Sequence, residues 1–257
     1  MNTNRHGLTV ASLAMAAFIL AAIAPVSWAD NESQTSGRLE GTIVNLKDAR
    51  LKIEMNATDG DAGIHVYIDG DTWKSMDIYD PFGRMLFRAT MRGRFAKQGG
   101  TELFIESAEP NFSQLTLVEF LKRFPEGQYQ FKGKGTKGET LVGTATLTHN
   151  LPAGAELVSP LEGGALVDIN NAVVTWKPVG PANGSPIVGY QVAVVQSPST
   201  IPAIPKIVLD VVMPATATSM AVPSGFLRPN TQYSWQVLAI EASGNQTLSS
   251  SFFQTAP

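Results

Sequence analysis

Residues 227–240 read Leu227-Arg-Pro-Asn-Thr-Gln-Tyr-Ser-Trp-Gln-Val-Leu-Ala-Ile240. Leu227, Pro229, Thr231 and Tyr233 fall at alternate positions, and Tyr233, Trp235, Val237 and Ala239 continue the same period of two. Successive side chains of a strand point to opposite faces, so this alternation predicts a strand with one buried face. Outward from it, Val173-Val-Thr-Trp176, Val188-Gly-Tyr-Gln-Val-Ala-Val194, Ile207 to Val212, Ser219 to Val222 and Thr247 to Phe253 are further short β-rich runs. With Leu157-Val-Ser-Pro-Leu161 they make seven, the strand count of a small antiparallel sandwich.

The Leu-Xaa-Pro-Xaa-Thr-Xaa-Tyr lead-in at residues 227–233 resembles the tyrosine corner of a fibronectin type III domain. Trp176 and Tyr190 fall where that family carries its core aromatics, and Pro160 where it caps the opening edge strand. The resemblance spans residues 157–257 and implies structural roles for Trp176, Tyr190, Tyr233 and Trp235. It implies a fold and an extracellular setting, and no reaction. The Pro-rich stretch Ser197 to Pro205 departs from the family's compact connection and leaves the register of the fourth strand open.

The first half is also β. Leu51-Lys-Ile-Glu-Met55 and Ile64-His-Val-Tyr-Ile68 alternate strictly, which places Ile64, Val66 and Ile68 on one face and His65 and Tyr67 on the other. Asp59-Gly-Asp61 and Asp69-Gly-Asp71 flank the second run and read as hairpins, because Asp-Gly tolerates positive φ. Trp73–Tyr79, Met85–Arg92, Glu102–Glu106, Tyr129–Phe131 and Leu141–Leu147 read as further strands. One segment breaks the rhythm. Thr116-Leu-Val-Glu119 has capping-box spacing, and Leu117, Phe120, Leu121 and Phe124 follow at helical spacing. The expected architecture is all-β: two tandem antiparallel β-sandwiches after a signal peptide, a loosely immunoglobulin-like one over 39–151 and a fibronectin type III-like one over 157–257. A linker at 152–156 joins them.

The amino-terminal residues read as an export signal. Arg5 precedes an apolar run from Leu8 to Val26, and Ser27-Trp-Ala29 supplies small residues where a signal peptidase cuts. Residues 1–29 are then signal and the polar 30–38 a disordered leader. The cut removes 29 of 257 residues, and with them Arg5, leaving 18 basic against 22 acidic residues. Such a chain is a poor partner for nucleic acid or an anionic membrane surface. No stable membrane insertion is expected after cleavage. The absence of Cys excludes disulfides and a thiol nucleophile. The setting expected is periplasmic or extracellular, in a bacterium.

Chemistry is sparse in the sequence. His65 and His149 are expected on solvated positions, no Gly-Xaa-Ser-Xaa-Gly elbow occurs, and His/Cys spacing for zinc is absent, so no catalytic, cofactor or metal residue is assigned. Asp59 with Asp61, or Asp69 with Asp71, offer hard oxygens for calcium, but the EF-hand pattern fails at Gly63 and hairpin chemistry accounts for both pairs. Met85, Met91 and the Arg84, Arg88, Arg92 and Arg94 run read as one solvated strand. Glu102, Glu106 and Glu109 read as an edge strand carrying charge against aggregation. Tyr67, Trp73 and Tyr79 are the aromatic candidates for ligand contact, with a core role equally open for Trp73. The expected function is a non-catalytic exported binding or spacer module for a protein or glycan of the cell envelope or exterior. The alternatives are a small secreted carbohydrate-active enzyme using two of the glutamates or a subunit of an envelope assembly. The processed protein is expected to begin at Asp30, which the intact mass of protein from its native host checks; retention of residues 1–29 refutes it.

Overall fold

The computed structural model describes residues 41–196, 201 and 203–257. The signal and leader expected over 1–38, and most of the Pro-rich stretch from Ser197, lie outside the described residues.

The first half runs β1 (Ile43–Asn45), β2 (Asp48–Asn56), β3 (Asp61–Tyr79), β4 (Met85–Thr90), α1 (Gly93–Gln98), β5 (Gly100–Glu106), α2 (Leu117–Arg123), β6 (Gly127–Gly135) and β7 (Thr140–Leu147). β3 is the spine. Residues 61–69 pair with β2 on one side and, from His65 to Asp69, with β5 on the other, whereas residues 75–79 lie between β4 and β6. Register shifts between Asp69 and Ser75 separate the two halves. One strand thus serves two layers of a sandwich-like fold. β7 pairs with β6 and, in parallel, with β1, whose next neighbour in sequence is β2. β1 thus stands at one end of the hydrogen-bonded path.

The alternation read from sequence holds in this core. Leu51, Ile53, Ile64, Val66 and Ile68 are buried, with Met76, Ile78, Tyr129, Phe131 and Leu141 from the other strands. α2 closes it through Phe120, whose ring lies 5.1 Å from that of Phe124. Its capping box forms: Thr116 Oγ1 accepts from the Glu119 N–H, and the Glu119 carboxylate accepts from the Thr116 N–H. Tyr129 Oη donates to the Pro125 carbonyl at 2.9 Å, so a Tyr ties its strand to upstream backbone in this half too.

Three expectations on strand layout change. Asp69-Gly-Asp71 is no hairpin but lies within β3, because Gly70 packs against Leu46 and needs no turn. The strand from Met85 ends at Thr90, and Arg94 belongs to α1. Trp73 offers no ligand platform: the register shifts turn it inward, where it is 1% exposed.

The second half runs β8 (Leu157–Ser159), β9 (Val173–Trp176), β10 (Ile187–Gln196), β11 (Ile207–Pro214), β12 (Ser219–Ala221), β13 (Gln232–Glu241) and β14 (Gln246–Gln254). β12, β9 and β8 form one sheet; β14, β13, β10 and β11 form the other. The fourth strand, left open by the sequence, pairs with β10 over eight residues. Trp176 and Tyr190 meet edge to face at 5.6 Å, and Tyr233 stacks on Phe253 at 5.5 Å. Tyr233 Oη accepts from the Arg228 N–H at 2.9 Å, Tyr190 Oη from the Val179 N–H at 2.7 Å, and Trp235 Nε1 donates to the Pro160 carbonyl.

The two halves share one sheet. β14 pairs in parallel with β2 over Gln246↔Glu54, Thr247↔Met55 and Leu248↔Asn56. Asn245 accepts from the Ile53 N–H through Oδ1 and donates through Nδ2 to the Thr148 and Asn150 carbonyls. Thr247 Oγ1 donates to the Pro152 carbonyl. Gly154 lies where a Cβ would sit 2.6 Å from both Ala57 Cβ and Ser249 Oγ, so this connection needs a residue without a side chain.

Tyr233→Phe removes the acceptor of the part-buried Arg228 N–H, so stability is expected to fall by about 1–3 kcal/mol in urea titration. Trp176→Ala empties the core and is expected to cost about 3–5 kcal/mol. A Tyr233→Phe protein that unfolds at the parent's midpoint argues against the corner.

Candidate functional site

The β3 spine presents two outward faces. On its second half, cross-strand partners set out three rows. Tyr79 faces Gln130, which faces Thr144; Asp77 faces Lys132, which faces Val142; Ser75 faces Lys134, which faces Thr140. β1 adds Ile43 and Asn45 opposite Thr140 and Val142. Tyr79, Gln130, Lys132, Lys134, Thr140, Val142 and Thr144 line an open groove of about 880 Å³. Lys134 Nζ reaches Thr140 Oγ1. Arg88 grips Asp77 with two 2.7 Å bonds, and those bonds hold its carboxyl below the usual carboxylate range. Tyr79 Oη also points to Asp77, at 3.3 Å. The groove carries amine, amide and hydroxyl donors beside the Tyr79 and Phe131 rings.

The outward face of the first half is graded. Asp48, Arg50, Lys52 and Glu54 of β2 lie opposite Asp69, Tyr67, His65 and Gly63 of β3, and Glu102, Phe104 and Glu106 of β5 continue three of the rows. At the open end Arg50 sits 4.7 Å over the Tyr67 ring. Toward the β14 junction the same face becomes buried. The sequence places His65 on a solvated position; in the fold it is 4% exposed, because a pattern of alternation does not reveal what covers the outer face. Its ring meets Phe104 edge to face at 5.5 Å. Burial, and then the Lys52 charge, pull the imidazole down to about 3, so it is neutral at neutral pH. Glu54 receives a hydrogen bond from Gln246 Nε2, whose Oε1 accepts from Lys52 Nζ at 2.7 Å. Burial raises Glu54 against those interactions, and raises Asp61 and Glu106 as well.

Glu109 folds back over Gly63, where a Cβ would lie 2.8 Å from its Cγ. One ligand atom each from Glu54, His65 and Glu109 lie within 4.8 Å of one another. The sequence spacing, 11 and then 44 residues, carries no metal signature. The other candidates stay apart. Glu102 and Glu106 are four residues apart on one strand, about 13 Å, beyond the separation of a glycosidase pair. Asp61 opens β3 and Asp69 lies eight residues on, so the two Asp-Gly-Asp pairs do not converge. Asp59 serves its turn, accepting from Asn56 Nδ2. His149, expected to be solvated, is half-buried: its N–H donates to Glu126 and its Nε2 lies 2.8 Å from the Phe124 carbonyl, fastening the end of α2. Tyr67 and Tyr79 belong to different surfaces, one beside Arg50 and the other in the groove.

Residues 167–255 match the fibronectin type III domain family model. The C-terminal part of this chain is a fibronectin type III domain. No curated protein matches the chain. Among solved structures it is similar to the chicken CNTN1 FN1–FN3 domains, with 17% identity over 85% of this chain and 69% of that one and a TM-score of 0.32. Among the described residues no helix is long and apolar enough to cross a membrane.

Gln246→Leu leaves the Glu54 carboxylate and the Lys52 ammonium without their shared amide. The urea midpoint is expected to fall at constant m, by about 1–3 kcal/mol in stability. An unchanged midpoint shows that the amide bridge is worth nothing.

Proposed function

We propose that this chain is an exported, non-catalytic binding module whose fibronectin type III domain is the scaffold and whose first half carries the ligand surface. The observation that carries this reading is the groove of Tyr79, Gln130, Lys132, Lys134, Thr140 and Thr144. Its donors suit the hydroxyl and carboxylate oxygens of a glycan, and Tyr79 offers a face for a sugar ring at low entropic cost. A protein of the cell envelope or exterior is the rival ligand. The absence of Cys supports the non-catalytic reading in part. So does the engagement of both described histidines in packing and backbone contacts.

A glycan array probed with the full-length secreted chain tests this. Binding is expected, and Tyr79→Ala combined with Lys132→Ala is expected to weaken it at least about tenfold, near 1.4 kcal/mol, with the far-UV spectrum unchanged. His149→Ala is expected to leave affinity nearly intact. Binding carried by Tyr67 and Phe104 instead would move the site to the other face. Hydrolysis of a glycan library, abolished by Glu102→Gln or Glu106→Gln, would overturn the reading in favour of an enzyme.

A further inference from the structure

We propose, on the reading of the Tyr79 groove as a glycan site, that it selects acidic glycans, polysaccharides bearing carboxylate or sulfate groups. Arg88 makes this possible by occupying the one carboxylate in the cross-strand rows that carry the groove's lysines. Among the residues that line the groove only Lys132 and Lys134 are charged, and both are cations. The chain as a whole has 19 basic and 22 acidic residues, so this face runs against the overall balance. The two lysines are exposed and two positions apart on β6, so they share its outward face at a spacing of about 7 Å. Lys134 Nζ donates to Thr140 Oγ1 at 3.2 Å, and a hydroxyl leaves its charge uncancelled. Among the described residues neither lysine forms an ion pair.

The cross-strand register explains why this charge is left over. One row runs Arg88 of β4, Asp77 of β3, Lys132 of β6 and Val142 of β7. It sets a single carboxylate between two cations, and opposite charges on facing strand positions attract. Arg88 takes it: Nε donates to Asp77 Oδ1 and Nη2 to Oδ2, both at 2.7 Å. A planar guanidinium matches both oxygens at once, whereas an ammonium is a point charge, so the arginine wins the competition. Tyr79 Oη points at the same Oδ2. The next row, Thr90, Ser75, Lys134 and Thr140, contains no carboxylate. Two uncompensated positive charges therefore stand beside the Gln130 amide, the Thr140 and Thr144 hydroxyls and the Tyr79 ring. A patch of one sign draws ligands of the other. Lysine in place of arginine also sets how finely the anion is read. Its three rotatable donors impose no planar fork, so they accept a carboxylate or a sulfate alike. The groove recognises charge on the glycan and not the shape of the acid group.

The test uses pairs of glycans that differ only in charge: polygalacturonate against its fully methyl-esterified form, and dextran sulfate against dextran. Affinity of the full-length protein for each is measured by calorimetry. Both acidic members are expected to bind about tenfold more tightly than their neutral counterparts, and to lose most of that advantage in about 1 M salt, where charges are screened within about 3 Å. Lys132→Gln and Lys134→Gln are each expected to weaken the acidic members about three- to fivefold, the range for an exposed ion pair. Arg88 has its own readout, since it does not line the groove. Arg88→Gln frees Asp77 to pair with Lys132 and is expected to weaken the acidic members about threefold or more. Adding Asp77→Asn removes that carboxylate and is expected to restore the loss, a rescue that a merely structural role for Arg88 would not show. Arg94→Gln with Lys97→Gln, on the exposed α1, controls for indiscriminate polyanion binding and is expected to change nothing. Equal affinity for the charged and neutral members of both pairs overturns the proposal, and the groove reading still stands if Tyr79→Ala weakens both members. Arg88→Gln without effect, no rescue by Asp77→Asn, or loss of acidic binding in the α1 variant overturns it too. Absence of binding to all four glycans does the same, and the glycan array then decides whether the groove reading goes with it.

Discussion

The parallel pairing of β2 with β14 is the contact on which the rest of this molecule depends. An edge strand presents a row of N–H and C=O groups that must be paired, covered or protected. The fibronectin type III domain ends in such an edge, and so does the first half at β2. Here each satisfies the other over Gln246 to Leu248. The ladder is short, so side chains extend it: Asn245 takes the Ile53 N–H that the strand no longer supplies, and Ser250 N–H donates to Thr58 Oγ1. The result is one eleven-stranded sheet running through both halves instead of two beads on a linker. With no Cys in the chain, no disulfide reinforces this seam.

That seam was invisible in the sequence for a definite reason. Alternation reports which side chains share a face, and it did so correctly for Ile64, Val66 and Ile68 against His65 and Tyr67. It does not report what lies on the outer face. Polar residues there are read as solvated by default, and His65 and Glu54 are buried because the end of β14 and Glu109 come to lie beside them. The same limit explains Trp73. A strict period of two would put it opposite Ile68, and the register shifts between Asp69 and Ser75 reverse it. By contrast, local features with a single mechanism were readable: the Thr116 capping box, the Tyr233 corner and the seven strands of the C-terminal half. Each depends on residues close in sequence or on one strand's own period.

Asp-Gly dipeptides show how context decides between two readings of one motif. Asp59-Gly60 does form a turn, because Asn56 Oδ1 accepts from the N–H groups of Thr58 and Asp59 and organises it. Asp69-Gly70 has no such partner upstream. Its glycine is used instead for close approach to Leu46, where a Cβ would lie 2.7 Å from the Leu46 methyl. A hairpin there would have split β3 into two strands. Its continuity is what lets a single chain segment hold two layers.

That continuity ties together the two surfaces that carry chemistry. Gly63 and His65 belong to the first half of β3, and Ser75, Asp77 and Tyr79 to the second, on one 19-residue strand. Strand register is all or nothing: a slip of one residue would move His65 into the core and Ile64 out of it. The same slip, carried along β3, would exchange Tyr79 for Ile78 in the groove. The shifts near Gly70 and Trp73 absorb the bend without transmitting a slip, because Ile68 on one side and Met76 on the other are fully buried and hold their faces. The polar seam at β14 and the open groove are therefore set by one register, and the apolar residues between them are what enforce it.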